Sequence, residues 1–316
     1  MPSRSVPSAS PVPASAAVAA AGQRAFVTNL AISLRPQQWT KNLLVFAGLI
    51  FAQRLFDPRA LTTSIGAFAI FCALSSVVYL INDLYDRDAD RQHPTKAQRP
   101  IASGALAPGA AWTAAVVLGA AAMTGAVILN RSFAVVGGLY LVILSAYSVS
   151  LKHLVILDVL TLASGFVLRA VAGAVAIEVE ISHWLLVCTF LLALFIAMAK
   201  RRHELVLLTS TATSHRPILS EYTPYLLDQM IAVVTASTLI AYVFYTISPD
   251  TQQKFGTPWL GLTIPFPLYG ILRYLYLVHQ RDGGGSPSDL LLTDRPMLVC
   301  VVLWVLAVAL IIYRPI

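Results

Sequence analysis

Apolar residues form nine runs along the chain, separated by shorter polar and charged stretches. An α-helix rises about 1.5 Å per residue and needs about 20 apolar residues to cross the hydrocarbon core of a bilayer. Because most runs approach that length, the pattern predicts an all-α membrane protein with about nine transmembrane helices. The runs lie at 42–56, 61–82, 109–129, 133–151, 156–176, 183–199, 229–247, 257–278 and 297–313.

The N-terminal part of the chain departs from this pattern. Residues 1–25 are rich in Pro, Ala and Ser, so we expect a disordered tail there and one transmembrane domain over 26–316. The alanine-rich run from 14 to 22 also resembles the core of a signal peptide, although it is short. The first apolar run is interrupted by Gln53 and Arg54, and we expect it to tilt or to lie partly at the membrane interface.

Composition also indicates a membrane protein. The chain is 57% hydrophobic and 12% charged, whereas soluble domains carry about 25% charged residues. Its net charge of +7 does not indicate nucleic acid, because basic residues in so apolar a chain usually face lipid headgroups or phosphate-bearing substrates. Cys72, Cys188 and Cys300 lie in apolar runs without paired spacing, so we interpret them as packing residues, neither disulfide partners nor zinc ligands.

The basic residues predict an orientation. With the N-terminus inside, 16 of the 22 Lys and Arg residues fall on the cytoplasmic side. Cytoplasmic loops carry the excess of Lys and Arg in membrane proteins. The N-terminus is therefore predicted to be cytoplasmic, together with the loops that hold nearly all of the candidate chemistry. These loops are 83–108, 152–155, 200–228 and 279–296.

An acidic cluster follows the second run, with the spacing Asn82-Asp83-x-x-Asp86-x-x-x-Asp90. On a helix these four side chains share one face, whereas Asp88 points elsewhere. Converging carboxylates repel one another unless a cation lies among them, and Mg²⁺ prefers oxygen ligands together with substrate phosphates. The spacing therefore predicts Mg²⁺ on Asp83, Asp86 and Asp90, held against a diphosphate.

Two other interpretations of the cluster require different residues beside it. A solvated helix end would need only screening by Arg87, Arg91 and Lys96, and this alternative stays open. A calcium loop of the EF-hand type is excluded, because Arg91 stands at the position of its glycine and Ala97 at the position of its bidentate Glu.

Other polar residues lie at or near the predicted cytoplasmic ends of the runs. Lys96 and Arg99 belong to a loop that could fold back over a phosphate. Lys152 could bind a phosphate or act as a snorkelling anchor at the bilayer surface. Asp158 would be costly if unpaired, which favours a functional role, and Arg169 inside a run could act on substrate or in helix packing.

From about Arg35 to the C-terminus, the chain resembles the UbiA superfamily of intramembrane prenyltransferases, which have nine helices and an N-D-x-x-D-x-x-x-D motif after the second. It is most similar to the branch that transfers phosphoribosyl groups to decaprenyl phosphate. Five stretches carry this closer resemblance. They are Arg35-Pro36-Gln37-Gln38-Trp39-Thr40-Lys41-Asn42, Arg99-Pro100-Ile101-Ala102-Ser103-Gly104, Tyr147-Ser148-x-x-Leu151-Lys152-His153, Lys200-Arg201-Arg202-x-Glu204-Leu205 and Leu290-x-x-x-Asp294-Arg295.

One departure from the superfamily bears on the substrate. Aromatic prenyltransferases of ubiquinone and menaquinone synthesis carry a second acidic motif, usually D-x-x-x-D, in the loop after the sixth helix. Here that place reads Lys200-Arg201-Arg202-His203-Glu204, three cations and one acid. A basic rim suits a reaction that brings a lipid phosphate, a sugar phosphate and a diphosphate together. The basic run could also be an ordinary flank of a membrane span.

The resemblance implies a bundle in a bacterial plasma membrane, with an active-site cavity that faces the cytoplasm. It implies transfer of the 5-phosphoribosyl group from phosphoribosyl pyrophosphate to a polyprenyl phosphate, which releases pyrophosphate and supplies lipid-linked pentose donors for cell-wall glycans. Asn82, Asp83, Asp86 and Asp90 would form the Mg²⁺-dependent catalytic centre. The implied substrate-binding residues are Lys41, Lys96, Arg99, Tyr147, Lys152, Asp158, Lys200, Arg201, Arg202 and Arg295.

Two other functions stay open. An aromatic prenyltransferase of quinone or haem synthesis, using a polyprenyl diphosphate, would need a second acidic site, which Asp158 and Glu204 supply only weakly. A transporter of anionic solutes is disfavoured, because the charges cluster at one face and the two halves show no repeat. Mg²⁺ dependence separates the enzymes from the transporter. The sequence does not set the prenyl chain length or the oligomeric state, so a homo-oligomer stays open.

Overall fold

The computed structural model describes residues 14–207, 217–280, 290 and 293–313, and within these ranges the chain forms helices and connections without a β-strand. Within these ranges, nine α-helices have 16 residues or more. We number them α1 (Ala14–Ser33), α2 (Pro58–Tyr85), α3 (Pro108–Leu129), α4 (Arg131–Val149), α5 (Leu157–Ala176), α6 (His183–Leu207), α7 (Pro224–Ile247), α8 (Pro265–Gln280) and α9 (Arg295–Tyr313).

Short helices connect these elements. Four of them are α-helical and lie at Ala47–Phe51, Arg87–Arg91, Pro100–Ser103 and Pro249–Phe255. Five are 3₁₀ helices and lie at Pro36–Phe46, Lys96–Gln98, Leu151–His153, Pro217–Glu221 and Trp259–Thr263.

Eight helices in the described ranges are long and apolar enough to cross a membrane. They are α2 to α9, with the α8 span starting at Trp259, and they coincide with the second to ninth apolar runs. The protein is therefore an all-α, multi-pass membrane protein, as the sequence predicts. The predicted total of nine spans depends on the first run, where the structure differs from the expectation.

The first apolar run does not form a long α-helix. The chain instead forms the 3₁₀ helix Pro36–Phe46 followed by the short helix Ala47–Phe51. The apolar part of the run ends at Gln53, and as an α-helix it would cover only about 16 Å, about half of a bilayer core. A 3₁₀ helix rises about 2.0 Å per residue, so the extended form reaches further with the same residues.

The polar ends of the helices meet at one end of the bundle, which we name the acidic end after Asp83. Lys152, between α4 and α5, binds Asp86 at the C-terminal end of α2. Asp158 at the start of α5 binds Arg201 near the end of α6. A chain of contacts thus gathers these helix ends on one side. The predicted cytoplasmic location of this side stays a prediction.

We name residues 36–52 the 3₁₀ segment. It runs from the acidic end to the opposite end of the bundle, which we name the far end. Arg35, just before the segment, binds Asp83. Gln53, just after it, donates a hydrogen bond of 2.7 Å to the carbonyl of Ile312 near the end of α9. Since its two ends contact opposite ends of the bundle, this irregular segment occupies the place of a membrane-crossing helix.

Glycine permits the segment to pack closely on α5. A Cβ atom added to Gly173 would lie 1.8 Å from the carbonyl oxygen of Val45. One added to Gly48 would lie 2.8 Å from the backbone of Ala174. Such distances leave no room for any side chain, so the 3₁₀ segment lies directly against the backbone of α5.

The first helix overlaps the predicted N-terminal tail. α1 begins at Ala14, inside the stretch 1–25 that the sequence predicts to be disordered. Alanine has the highest helix propensity, and the alanine-rich run that resembles a signal-peptide core lies in this helix. Residues 1–13 lie outside the described residues. The division between a tail and a transmembrane domain at 25/26 stays a prediction.

A cavity of about 940 Å³ lies at the far end of the bundle, away from Asp83, Asp86 and Asp90. Its lining includes Phe51, Glu180, His183, Tyr245 and Lys254. The cavity that the resemblance implies at the acidic end stays a prediction, and the far-end cavity does not contain any of the predicted site residues.

Candidate active site

The acidic cluster lies where α2 ends. The helix stops at Asp86, whose φ of −86° and ψ of 0° leave the helical range, and the short helix Arg87–Arg91 follows at once. Asp83 and Asp90 are 3% and 4% exposed. Asp88, predicted to point away from this face, is 84% exposed. The turn at Asp86 thus keeps Asp83 and Asp90 on the inner side, although one continuous helix does not carry them.

Three cations neutralise the three carboxylates. The guanidinium of Arg99 bridges two of them, with Nη1 2.6 Å from Asp90 and 3.2 Å from Asp83. Arg35 binds the same Asp83 oxygen at 2.5 Å. Lys152 binds Asp86, whose second oxygen accepts a hydrogen bond of 3.0 Å from Asn82. The cluster is therefore a balanced network of anions and cations that converge from four parts of the chain.

Arg35 is a site residue that the sequence argument missed. It adopts a left-handed backbone conformation with φ of 52° and ψ of 59° immediately before Pro36. Its guanidinium also stacks over the ring of Tyr79, 5.1 Å from the centroid. The left-handed turn aims the side chain at α2, which is 48 positions away in sequence. The only sequence signal was its place at the start of the motif that resembles the superfamily.

Hydrogen bonds hold the start of the 3₁₀ segment on α2. Trp39 donates from Nε1 to Ser76 at 3.0 Å, and Ser76 in turn donates to the carbonyl of Leu34 at 2.8 Å. Asn42 is fully buried and donates to Ser75 at 3.0 Å. These contacts fix the backbone on both sides of Lys41, which the sequence predicted as a substrate ligand.

Lys41 lies in a strongly positive environment. Lys41 is half-buried, and the charged groups that act on its ammonium are Lys200, Arg169 and Arg35. Each of these neighbours disfavours a further positive charge. The structure therefore places two predicted substrate-binding lysines, Lys41 and Lys200, within electrostatic reach of one another.

Arg169 acts in helix packing through neutral partners. It is 5% exposed and donates to the side-chain oxygen of Asn42 at 2.7 Å, to the carbonyl of Gly165 at 2.8 Å and to the hydroxyl of Tyr140 at 2.8 Å. The Tyr140 ring also lies 4.9 Å from the guanidinium carbon. These contacts tie the 3₁₀ segment and α4 to α5, as the packing alternative expects.

A second buried network joins α5 to α6. Arg201 binds Asp158 at 2.9 Å and Glu204 at 2.9 Å, and it is 2% exposed. Tyr222 donates to the other Asp158 oxygen at 2.9 Å, and burial raises the pKa of its hydroxyl to about 12, which keeps the donor proton in place. Arg201 also reaches the hydroxyl of Tyr147 at 3.4 Å. Arg201 and Asp158, predicted as substrate ligands, are thus partners of each other.

Three further predicted ligands are Arg202, Lys96 and Arg295. Arg202 binds Asp228 on α7 at 2.5 Å, and His279 on α8 contacts the same carboxylate at 3.3 Å. Lys96 is half-buried at the start of its short helix, in the loop that leads to Arg99. Arg295 is exposed at the start of α9. The predicted roles of these three residues in substrate binding stay predictions.

The acidic cluster fits a hard metal ion by its donors. Within the part of the chain that the structure describes, no three His, Cys, Asp or Glu side chains are arranged to hold a metal by themselves. Magnesium, however, takes one or two carboxylates and fills its other positions with water and phosphate oxygens. The carboxylates of Asp83 and Asp90 already share one cationic group, the guanidinium of Arg99. Their oxygens are therefore close enough to bind one cation together with a diphosphate.

Comparisons with known proteins agree with this geometry. The profile of the UbiA prenyltransferase family matches residues 42–290. Decaprenyl-phosphate phosphoribosyltransferase of Corynebacterium glutamicum is 34% identical over 286 residues, which cover 89% of this chain and 86% of that protein. The enzyme of the same name from Mycolicibacterium smegmatis is also 34% identical, over 91% of this chain and 93% of its own length.

A solved structure has the same fold. The UbiA homologue of Archaeoglobus fulgidus bound to GPP and Mg²⁺ superposes with a TM-score of 0.68 at 20% identity, over 90% of this chain and all of that one. This comparison shows that the two proteins share a fold.

Proposed function

The chain belongs to the UbiA prenyltransferase family, and on that premise we propose that it transfers the 5-phosphoribosyl group of phosphoribosyl pyrophosphate to a polyprenyl phosphate. The two relatives at 34% identity carry the name of this activity with decaprenyl phosphate. They match the chain almost from end to end, which supports the same reaction here.

The observation that carries the proposal is that Arg201 forms ion pairs with both Asp158 and Glu204. Aromatic prenyltransferases of the superfamily have a second acidic motif at this place. Asp158 and Glu204 are the acids that could replace that motif, and both bind the guanidinium of Arg201. The side chains of Asp158 and Arg201 are 0% and 3% exposed, so a metal ion at Asp158 would have to break a fully buried ion pair. The cations that bind the acidic cluster are 13% to 27% exposed, which leaves them room to turn toward a bound diphosphate. The aromatic alternative is therefore less well supported.

The acidic cluster would bind the diphosphate of phosphoribosyl pyrophosphate. Asp83, Asp86 and Asp90 would hold Mg²⁺, with Asn82 orienting Asp86 through its hydrogen bond of 3.0 Å. When bound, the metal would act as a Lewis acid that stabilises charge on the leaving pyrophosphate. The cations Arg35, Arg99 and Lys152, which now neutralise the acids, would then be available to the diphosphate oxygens.

The reaction exchanges one bond to the ribosyl carbon for another. The bond from C1 to the pyrophosphate oxygen breaks, and pyrophosphate leaves with the electron pair. An oxygen of the lipid phosphate supplies the pair for the new bond to C1. This nucleophile is already ionised at neutral pH, so no general base is required. The residues of the protein act by positioning two anions and by lowering their mutual repulsion.

The location follows from the same assignment. We place the acidic end at the cytoplasmic face of a bacterial plasma membrane, where the soluble sugar phosphate is available. The polyprenyl phosphate would enter from the bilayer with its phosphate at this end. The excess of basic residues predicted on this side supports the orientation.

A competition between two reactions tests the proposal. Purified protein in detergent would be given Mg²⁺ with phosphoribosyl pyrophosphate and decaprenyl phosphate, and separately with decaprenyl diphosphate and an aromatic acid acceptor. The proposal expects product in the first mixture only. Product in the second mixture alone would establish the aromatic prenyltransferase instead.

A further inference from the structure

The ammonium group of Lys41 has cations for neighbours. The charged groups that act on it are Lys200, Arg169 and Arg35, and no carboxylate among the described residues is one of them. Lys41 is also half-buried, so water compensates its charge only in part. A buried positive charge surrounded by positive charges is unfavourable unless an anion binds there.

The cations at the acidic cluster differ from Lys41, because each of them has a carboxylate partner. There, Arg35, Arg99 and Lys152 each bind a carboxylate of the same helix end. Arg169, a deeply buried cation that acts on Lys41, is held by an amide, a carbonyl and a hydroxyl, which carry no compensating charge. Arg35 is thus compensated by Asp83, whereas neutral groups alone hold Arg169, so the positive potential is least compensated on the side of Lys41 that faces Arg169.

The backbone around Lys41 is fixed in advance. Asn42 is held by Arg169 on one side and by Ser75 on the other, and Trp39 is held by Ser76. Such support keeps a binding group in place before the ligand arrives, which reduces the entropic cost of binding. The segment therefore presents Lys41 as part of a preformed site.

The same segment exposes an apolar side chain. Leu43, two residues after Lys41, is 56% exposed on a helix bundle that lies in a membrane. An apolar chain can thus lie against the surface of the segment while an attached anion reaches Lys41. This arrangement favours a ligand whose charge is carried at the end of an apolar tail.

We propose that Lys41, supported by Lys200 and Arg169, forms a second anion site that binds a phosphate monoester, namely the phosphate of the polyprenyl phosphate. The diphosphate of the other substrate occupies the acidic cluster. The inference rests on the proposed function and extends it by assigning the two anionic groups to separate sites. The 5-phosphate of the ribose is also a monoester, so the test must separate the two sources.

Steady-state kinetics of Lys41→Met and Lys41→Arg separates them. Charged hydrogen bonds of this kind contribute enough for about a tenfold to hundredfold change in affinity. We expect Lys41→Met to raise KM for polyprenyl phosphate by that factor while KM for phosphoribosyl pyrophosphate changes less than about twofold. Lys41→Arg should recover most of the loss. A rise in KM for phosphoribosyl pyrophosphate alone would overturn the assignment, as would an equal rise for both substrates.

Lys254→Met is the matched control, because Lys254 lies in the wall of the far-end cavity, away from the acids. It should leave both KM values unchanged. Thermal unfolding of all variants in the same detergent checks that they are folded. A folded Lys41→Met protein with unchanged KM for the lipid would contradict the site.

Direct binding keeps this test independent of the reaction. Wild-type protein and Lys41→Met would be titrated with polyprenyl phosphate and with the neutral polyprenol in detergent micelles, without the sugar substrate. The site predicts that wild type prefers the phosphate by at least about tenfold and that Lys41→Met loses the preference. This result would support the site even if no phosphoribosyl transfer occurred. Equal preference in both proteins would overturn the site and leave the proposed function standing.

Discussion

The guanidinium of Arg201 and the carboxylate of Asp158 form an ion pair inside the bundle, with Nε 2.9 Å from Oδ2. The two residues are 43 positions apart in sequence, and their side chains are 3% and 0% exposed. Tyr222 occupies the other Asp158 oxygen at 2.9 Å. The pair therefore joins the start of α5 to the end of α6 at the acidic end, and both oxygens of Asp158 already accept a hydrogen bond within the protein.

Removing one partner of this pair should destabilise the fold. Asp158→Asn leaves the buried Arg201 with Glu204 as its main partner, and breaking such a pair typically costs about 3 to 5 kcal/mol. The melting temperature in detergent should fall clearly, whereas Asp250→Asn at the far end should not change it. The double variant Asp158→Leu with Arg201→Met should be more stable than Asp158→Asn, because no buried charge is left uncompensated. If instead stability is unchanged while KM for phosphoribosyl pyrophosphate rises, Arg201 is a phosphate ligand, as its sequence context first suggested.

We expect the acids of the cluster to be essential for activity and their exposed neighbour Asp88 to be dispensable. Asp83→Asn removes a carboxylate that would hold the metal, and metal stabilisation of the leaving group is worth several kcal/mol. A loss of about 1000-fold in kcat/KM is therefore expected. Asp88→Asn, in the same turn but 84% exposed, should keep wild-type activity. Comparable losses in both variants would argue that the acidic end acts only through its overall charge.

Arg99 should not be replaceable by lysine. Its guanidinium bridges Asp83 and Asp90 through one nitrogen, at 3.2 Å and 2.6 Å. Lysine carries a compact charge without the planar fork of arginine and suits such a bridge poorly. We expect Arg99→Lys to raise KM for phosphoribosyl pyrophosphate about tenfold, and Arg131→Lys at the far end to leave it unchanged. A kinetically normal Arg99→Lys enzyme would show that only the charge matters at this position.

The close packing of the 3₁₀ segment should depend on one glycine. A Cβ at Gly173 would lie 1.8 Å from the carbonyl oxygen of Val45, so Gly173→Ala must push the segment away from α5. Such overpacking usually costs about 1 to 3 kcal/mol, and the melting temperature should fall accordingly. Gly270→Ala in α8 is the control, since a Cβ there has no atom within 4 Å. Equal stability of the two variants would mean that the segment moves freely against α5.

The sequence predicted most of this architecture because a membrane helix is recognisable from a local signal, its long apolar run. Apolar runs near the length of a bilayer core locate α2 to α9 without any long-range information. The acids of the cluster were likewise found from spacing within a few residues of one another. Asp88 was correctly predicted to lie on the other face, and the structure exposes it.

What the sequence could not predict depends on distant contacts. Arg35 reaches Asp83 across 48 positions, and nothing near Arg35 indicates that partner. The pairing of Asp158 with Arg201 is also long-range, and it turns two predicted ligands into partners of each other. The 3₁₀ segment replaces a predicted helix because Gly173 allows contact with a backbone far along the chain. Local patterns do not carry these relationships.

The fate of the phosphorus atoms tests the central claim most directly. Phosphoribosyl pyrophosphate would be labelled with ³³P in the 5-phosphate and ³²P in the β-phosphate, then incubated with decaprenyl phosphate, Mg²⁺ and purified protein. The account predicts ³³P in the lipid fraction and ³²P in released pyrophosphate in equal amounts, with both lost in Asp83→Asn. Transfer of ³²P to the lipid, or no transfer by a folded wild-type protein that prenylates an aromatic acceptor, would contradict it.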